Sequence, residues 1–267
     1  MKTWSATLSD VQAAYSGPEL ELWELLMGEQ IHIGGMASST ELANRAGILP
    51  AMRGVDLCCC IGGGMRFLVR CRGVAAMTGV DATSIVIELG RTRCAAEGLS
   101  DRIAFVLADA SSCGLPAAST DFVWGEDAWC YVADKAVLIA EAVRIAKPSG
   151  IIAFTDWVEG AEPMTDAEAE RFMRFMKFPT LATLDDYTAL LRAAGCDVRI
   201  AAHTGRFAPA MDQYLVSLTT QHAYDALKIL GFRREVFSAV VAEMESIQHL
   251  AREGKIEQCM LVARTHP

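Results

Sequence analysis

The chain has 267 residues, 52% hydrophobic and 21% charged, with a net charge of −9 and a pI near 5.1. That length allows one large domain or two small ones with a sizeable core. The acidic balance, with no polybasic run, argues against nucleic acid and anionic membrane as partners.

No apolar run is long enough to span a membrane, and the opening Met-Lys-Thr-Trp-Ser lacks the apolar region of a signal peptide, so a cytoplasmic protein is expected. The nine cysteines are an odd number, and Cys58, Cys59 and Cys60 are adjacent. They read as reduced thiols packed as small hydrophobes. No Cys-x-x-Cys and no His pair at ligand spacing occurs, so no metal site is expected.

The first fifty residues read as helical. Ser9 is expected to cap a short helix ending at Tyr15. Pro18 suits the first turn of a second helix carrying Leu20, Leu22, Trp23, Leu25 and Leu26 and closing at Gly28. A polar, Gly-rich loop follows from Gly28 to Gly35 and contains Gln30, His32 and Gly34. Ser39 is expected to cap a third helix that ends near Gly47. Residues 1–50 thus form a predicted N-terminal helical lid, and 51–267 the core.

The core alternates short apolar strands with helices. The strands are expected at Val55–Cys59, Ala75–Val80, Ile103–Leu107, Phe122–Trp124 and Ile151–Thr155. Between the first two lies Cys58-Cys59-Cys60-Ile61-Gly62-Gly63-Gly64, a turn leading into a helix whose free N–H groups face the same spot. Thr83 and Asp134 are expected helix caps. Such alternation implies α/β architecture, with a parallel sheet covered on both faces. Right-handed crossovers place all strand C-termini on one edge. Asp81, Asp109, Glu126, Asp127 and Asp156 fall at or just after those ends, where open α/β sheets bind ligands. Asp81 is placed to accept from ribose hydroxyls, and Asp109 from an exocyclic amine.

Beyond the fifth strand, Thr165 to Glu168 reads as a capping box. Phe172, Met173, Phe175, Met176 and Phe178 then cover more than one helix face, so the segment is a core helix or the wall of an apolar cavity. Asp185 is expected to cap a further helix before a sixth strand at Cys196–Ala202. Two helices, around Met211–Leu230 and Arg234–Arg252, precede a last strand at Glu257–Ala263.

These motifs resemble a class I S-adenosylmethionine-dependent methyltransferase. The resemblance rests on Val55-Asp56-Leu57-Cys58-Cys59-Cys60-Ile61-Gly62, Gly79-Val80-Asp81, Leu107-Ala108-Asp109-Ala110, Asp121-Phe122-Val123-Trp124 and Lys147-Pro148-Ser149-Gly150. It covers roughly Gly54–Ala202 and the last strand. In the family's first motif, glycines stand where this chain has Cys58 and Cys60. The resemblance implies a seven-stranded Rossmann-like sheet, parallel with one antiparallel strand, carrying the helical lid and cap insertions at 159–185 and 207–254. The cap is read as a substrate cover or a homodimer surface. The implied cofactor is S-adenosyl-L-methionine, with Asp56, Cys58, Gly62, Asp81, Ala82, Asp109, Ala110 and Glu126 as candidate contacts.

A finer similarity to the glycine/sarcosine/dimethylglycine N-methyltransferases, with phosphoethanolamine and sterol-type enzymes as relatives, adds Tyr15, Gln30 and Gly34 from the lid. His32 is the candidate base. Asp127 and Asp156 are candidate anchors for a cationic acceptor. Tyr131, with Trp124, Trp129 and Trp157, is a candidate aromatic face for positive charge. The expected reaction is methyl transfer to a small-molecule acceptor, an amine first, with O- or C-methylation as alternatives. Two rival readings are a nicotinamide-dependent oxidoreductase, whose Gly-x-Gly-x-x-Gly is missing, and a non-catalytic binding protein of the same fold.

Overall fold

The protein is described here from a computed structural model, which covers residues 2–3 and 6–266. Met1, Trp4 and Ser5 of the expected lid lie outside the described residues. In chain order the elements begin with β1 (Lys2–Thr3), α1 (Leu8–Tyr15), α2 (Pro18–Met27) and α3 (Gly35–Ala46). The alternating core follows as β2 (Arg53–Leu57), α4 (Gly63–Arg72), β3 (Ala76–Asp81), α5 (Ser84–Ala96), β4 (Ile103–Leu107), β5 (Thr120–Glu126), α6 (Lys135–Ile145) and β6 (Ala146–Glu159). The last third holds α7 (Asp166–Met176), β7 (Thr180–Leu181), α8 (Leu184–Ala193), β8 (Cys196–His203), α9 (Phe207–Thr219), α10 (Ala223–Ile229), α11 (Arg234–Arg252) and β9 (Ile256–Thr265).

Seven strands pair in the order β4-β3-β2-β5-β6-β9-β8, and β9 runs antiparallel to both its neighbours. The expected α/β sheet, parallel with one antiparallel strand, is therefore the fold. The short β1 and β7 pair separately. Side chains alternate across the sheet, as a period of two requires. Phe122 and Trp124 of β5 pack with Leu42, Met65 and Leu68 on one face. Val123, between them, packs with Leu138, Ile139 and Ala142 on the other. A third apolar cluster joins Leu22 of the lid to Trp157 of β6, Phe172 and Met173 of α7, Met211 of α9 and Met244 of α11. The lid and the cap helices thus share one core beside the sheet. Among the described residues no helix is long and apolar enough to cross a membrane.

Some element ends differ from expectation, each for a local reason. Thr7, not Ser9, caps α1, because its hydroxyl and the Asp10 carboxylate satisfy each other's backbone N–H groups. Helix α3 starts four residues before Ser39, at a left-handed Gly34. Ser39 therefore lies inside the helix and is buried. Strand β6 continues to Glu159 because β9 pairs with it along that whole length. This carries Asp156 and Trp157 into the sheet. The Asp134 cap and the Thr165–Glu168 box are as expected. Helix α8 is capped by Thr183, paired with Asp186, rather than by Asp185. Thr183→Ala is expected to lower the unfolding free energy by about 1 kcal/mol in urea titrations. Asp185→Ala, which removes only an acid from the first turn, is expected to cost a few tenths.

Candidate active site

The turn after β2 decides whether a ligand reaches the sheet edge. Cys58 has φ 65° and Cys60 has φ 47°, so both keep the left-handed backbone that glycine would adopt freely. For an L-residue such a conformation costs roughly 1–2 kcal/mol. Hydrogen bonds hold it in place: the Cys58 and Cys59 N–H groups donate to the Val80 carbonyl at 2.8 and 3.0 Å. The Cys60 N–H donates to Asp81 Oδ2 at 2.9 Å. The two cysteines leave the turn open.

Beyond that turn the glycines set the close approaches. A Cβ at Gly63 would stand 2.3 Å from the Glu29 carbonyl oxygen, and one at Gly64 would stand 2.4 Å from Glu126 Oε2. Only glycine lets the lid loop and the β5 acid sit against the start of α4.

A cavity of about 380 Å³ opens at this edge. Asp56, Cys58, Asp81 and Ala82 line it from the first two strand ends, and Asp109 and Ala110 from the third. Glu126, Asp127 and Tyr131 enter from the β5 side, and Tyr15, Gln30 and His32 from the lid. Two expected residues stand apart from its wall. Gly62, at φ 75°, lies under the Phe105 ring, where a Cβ would approach to 2.9 Å. Gly34 is covered by Arg206, and its N–H donates to Tyr214 Oη at 3.3 Å.

The acids are held in different ways. Asp81 Oδ1 accepts from Thr83 N–H at 2.9 Å, opposite the bond from Cys60, so its carboxylate is fixed between the turn and α5. Burial raises its pKa, and these N–H groups oppose the rise. Asp109 Oδ1 accepts from Ser111 N–H at 2.7 Å. Burial pushes the Asp56 carboxyl well above the usual range, and the charges of Glu126 and Asp81 add to it. Asp127 is raised by burial, against the pull of His32 and its own hydrogen bonds. Its oxygens accept from Gln258 Nε2, at 2.8 Å each, and Oδ2 also accepts from Ile33 N–H at 2.8 Å.

His32 is 3% exposed. Its Nε2 lies 3.1 Å from Ser39 Oγ and 3.3 Å from Glu126 Oε1. The Ser39 hydroxyl donates to Glu126 Oε1 at 2.7 Å. Its one proton being used there, Ser39 Oγ accepts from His32, so Nε2 carries the hydrogen. Nδ1 is left with its lone pair and no hydrogen-bond partner in the protein. Beside it, Tyr15 Oη donates to Tyr131 Oη at 2.8 Å, the rings meeting edge to face. Burial drives both phenol pKa values far up, so both stay neutral.

The remaining expectations change. Asp156 lies within β6 and is fully buried away from the cavity. It accepts from Tyr187 Oη and from Cys130 N–H, and burial pushes its pKa up to about 6. Trp124 and Trp129 are fully buried core residues, so they offer no face to a ligand. Trp157, also buried, lines only a small side cavity. Ser39 is a residue of the helix interior that reaches Glu126, not the cap its position suggests, and Gln258 is a further residue of the site. Gln258 comes from the antiparallel last strand, and nothing local to it signals a partner 131 residues away.

Residues 55–154 match the methyltransferase domain family. Methyltransferase GfsG of Streptomyces halstedii is 28% identical over 61% of this chain and 59% of its own length. The 27-O-demethylrifamycin SV methyltransferase of Amycolatopsis mediterranei is 28% identical over 70% of this chain and 74% of its own. The chain therefore spans well over half, but not all, of these curated relatives. Among solved structures, a candidate sarcosine dimethylglycine methyltransferase from Galdieria sulphuraria superposes with a TM-score of 0.83 at 19% identity, over 93% of this chain and 98% of that one. The matches support a methyltransferase, and the fold is that of the class I S-adenosylmethionine-dependent methyltransferases. The protein's cofactor is S-adenosylmethionine. The site fits that group: the buried carboxyls of Asp56, Asp81 and Glu126 crowd one wall, and a cationic ligand relieves their mutual repulsion.

Two outcomes follow. Gly63→Ala must displace the Glu29 backbone, and S-adenosylhomocysteine affinity is expected to fall about tenfold or more by calorimetry. Asp156 holds its proton more tightly when folded, so its contribution to stability is complete below its ordinary pKa of 3.8 and is lost as pH rises through about 6. Asp156→Asn removes that dependence. Measured by urea unfolding, the variant is expected to gain on the wild type by about 2–3 kcal/mol between pH 4 and 7.

Proposed function

We propose that the protein transfers a methyl group from S-adenosylmethionine to a small molecule at an oxygen, with His32 as general base. The observation that carries this reading is the His32 arrangement: His32 lines the cavity, its Nε2 is pinned by Ser39 and Glu126, and its buried Nδ1 has no hydrogen-bond partner in the protein.

When bound, the cofactor supplies a methyl carbon on a cationic sulfur; the acceptor's lone pair bonds to that carbon, and the carbon–sulfur electron pair stays on the sulfur. Everything else falls to the chain. Asp81 would take the ribose hydroxyls, Asp109 the base, and Asp56 with Glu126 the cationic end. His32 Nδ1 takes the acceptor's proton, and Glu126 stabilises the imidazolium across 3.3 Å. Tyr15, Gln30 and the loop around them shield the site from water. The lid (1–50) and the cap segments (159–185 and 207–254) would enclose the acceptor.

An amine acceptor, expected from the acidic strand edge, has less support. Asp127, the acid expected to anchor a cationic amine, is buried and already accepts three hydrogen bonds, from Gln258 and from Ile33 N–H. Asp156 faces Tyr187 instead.

The test is a mass-spectrometric screen of phenols, alcohols, carboxylates and amines for methyl acceptance. With the accepted hydroxyl compound, His32→Ala is expected to lower kcat by a factor of about 10² or more while S-adenosylhomocysteine binding stays within about twofold. Ser39→Ala, which frees the imidazole to turn, is expected to lose about tenfold. Full turnover by His32→Ala, or acceptance of amines alone, would remove His32 from the chemistry.

A further inference from the structure

Two smaller cavities adjoin the main one. The first, about 20 Å³, is lined by His32 and Asp127 together with Trp23, Met27, Trp157 and Met176. The second, about 80 Å³, is lined by Trp23, Leu26, Phe175, Met176, Val240 and Met244 among others. Tyr15 and Tyr131 line all three spaces. The hydrogen-bonded tyrosine pair is therefore the partition between the His32 site and a chamber built from α2, α7 and α11.

The chamber's chemistry is one-sided. Its charged lining groups are the exposed Glu19 and the half-buried Lys177; the other side chains are apolar apart from the two phenols. Tyr131 meets Phe178 edge to face at 4.8 Å, and Trp157 stacks on Phe172 at 6.2 Å, so the neighbouring wall is aromatic and rigid. A site polar at His32 and apolar beyond it selects a molecule of the same shape.

Resting on the methyl-transfer reading above, we infer that the acceptor is a hydroxyl-bearing apolar molecule, its hydroxyl at His32 and its ring or branched alkyl body in the chamber past Tyr15 and Tyr131. The apolar body is held by surface burial, which needs no charge. A small polar amine or amino acid buries no apolar surface there and meets charge only at Glu19 and Lys177.

The test uses the full chain saturated with S-adenosylhomocysteine and two probes, 4-propylphenol and ethanolamine, followed by calorimetry. Val240→Trp fills the chamber from a half-buried position on α11, remote from the cofactor wall. Met176→Ala enlarges it and serves as the second variant. The expected result is 4-propylphenol binding that Val240→Trp weakens about tenfold or more and Met176→Ala alters, with S-adenosylhomocysteine affinity within about twofold in each. If S-adenosylhomocysteine binds but 4-propylphenol gives no heat at about 1 mM, the apolar-acceptor inference is overturned while methyl transfer stands. Equal phenol binding by wild type and both variants, or preferred ethanolamine binding, overturns it in the same way. If S-adenosylhomocysteine itself fails to bind, the methyl-transfer reading falls first and the inference with it.

Discussion

The constraint on which the site depends is the crowding of carboxylates at one edge of the sheet. Asp56, Asp81, Glu126 and Asp127 approach one another because parallel strands end together. Their charges are tolerated only with donors or a cation nearby. Each donor comes from a different part of the chain. The cysteine turn and α5 serve Asp81, α3 serves Glu126, and the lid loop with β9 serves Asp127. The acids therefore do structural work as well: they tie the helical lid and the antiparallel last strand to the ligand edge.

The same bonds fix the imidazole. Ser39 reaches Glu126 only because α3 begins four residues earlier than its capping residues suggest, which turns a serine of the second helical turn toward β5. Gln258 holds Asp127 with both oxygens engaged, and His32 Nδ1 is left without a hydrogen-bond partner. The geometry is set by buried polar groups that must all be satisfied together, and a single misplaced hydroxyl would change which imidazole nitrogen is available.

The cysteine turn illustrates how backbone shape outlasts residue identity. Cys58 and Cys60 take the left-handed conformation because their N–H groups are claimed by β3. The room a glycine would have provided is supplied downstream by Gly63 and Gly64. The cavity is consequently preserved with three thiols, Cys58, Cys59 and Cys60, in its wall. Burial pushes those thiols' pKa values up, which makes them poor nucleophiles.

The sequence by itself determined the sheet, its strand-end acids and the cofactor class. The sheet and its acids follow from local signals: apolar runs of strand length, a turn before a helix, and an acid at each strand's end; the cofactor class is what the motifs' resemblance implies. Asp127 and Tyr131 were legible at the strand ends, and the resemblance added Tyr15, Gln30, His32 and Gly34, of which Gly34 lies off the cavity wall. Tertiary structure decided the rest. That Asp156 is buried against Tyr187 depends on β9 extending β6, a pairing more than a hundred residues apart. That Trp124 and Trp129 are core depends on which face of the sheet the helices cover. The roles of Ser39 and Gln258, and the apolar chamber shared by α2, α7 and α11, arise from side chains far apart in the chain that meet only when the layers pack. Periodicity records which face of an element is apolar, but not which other element will cover it.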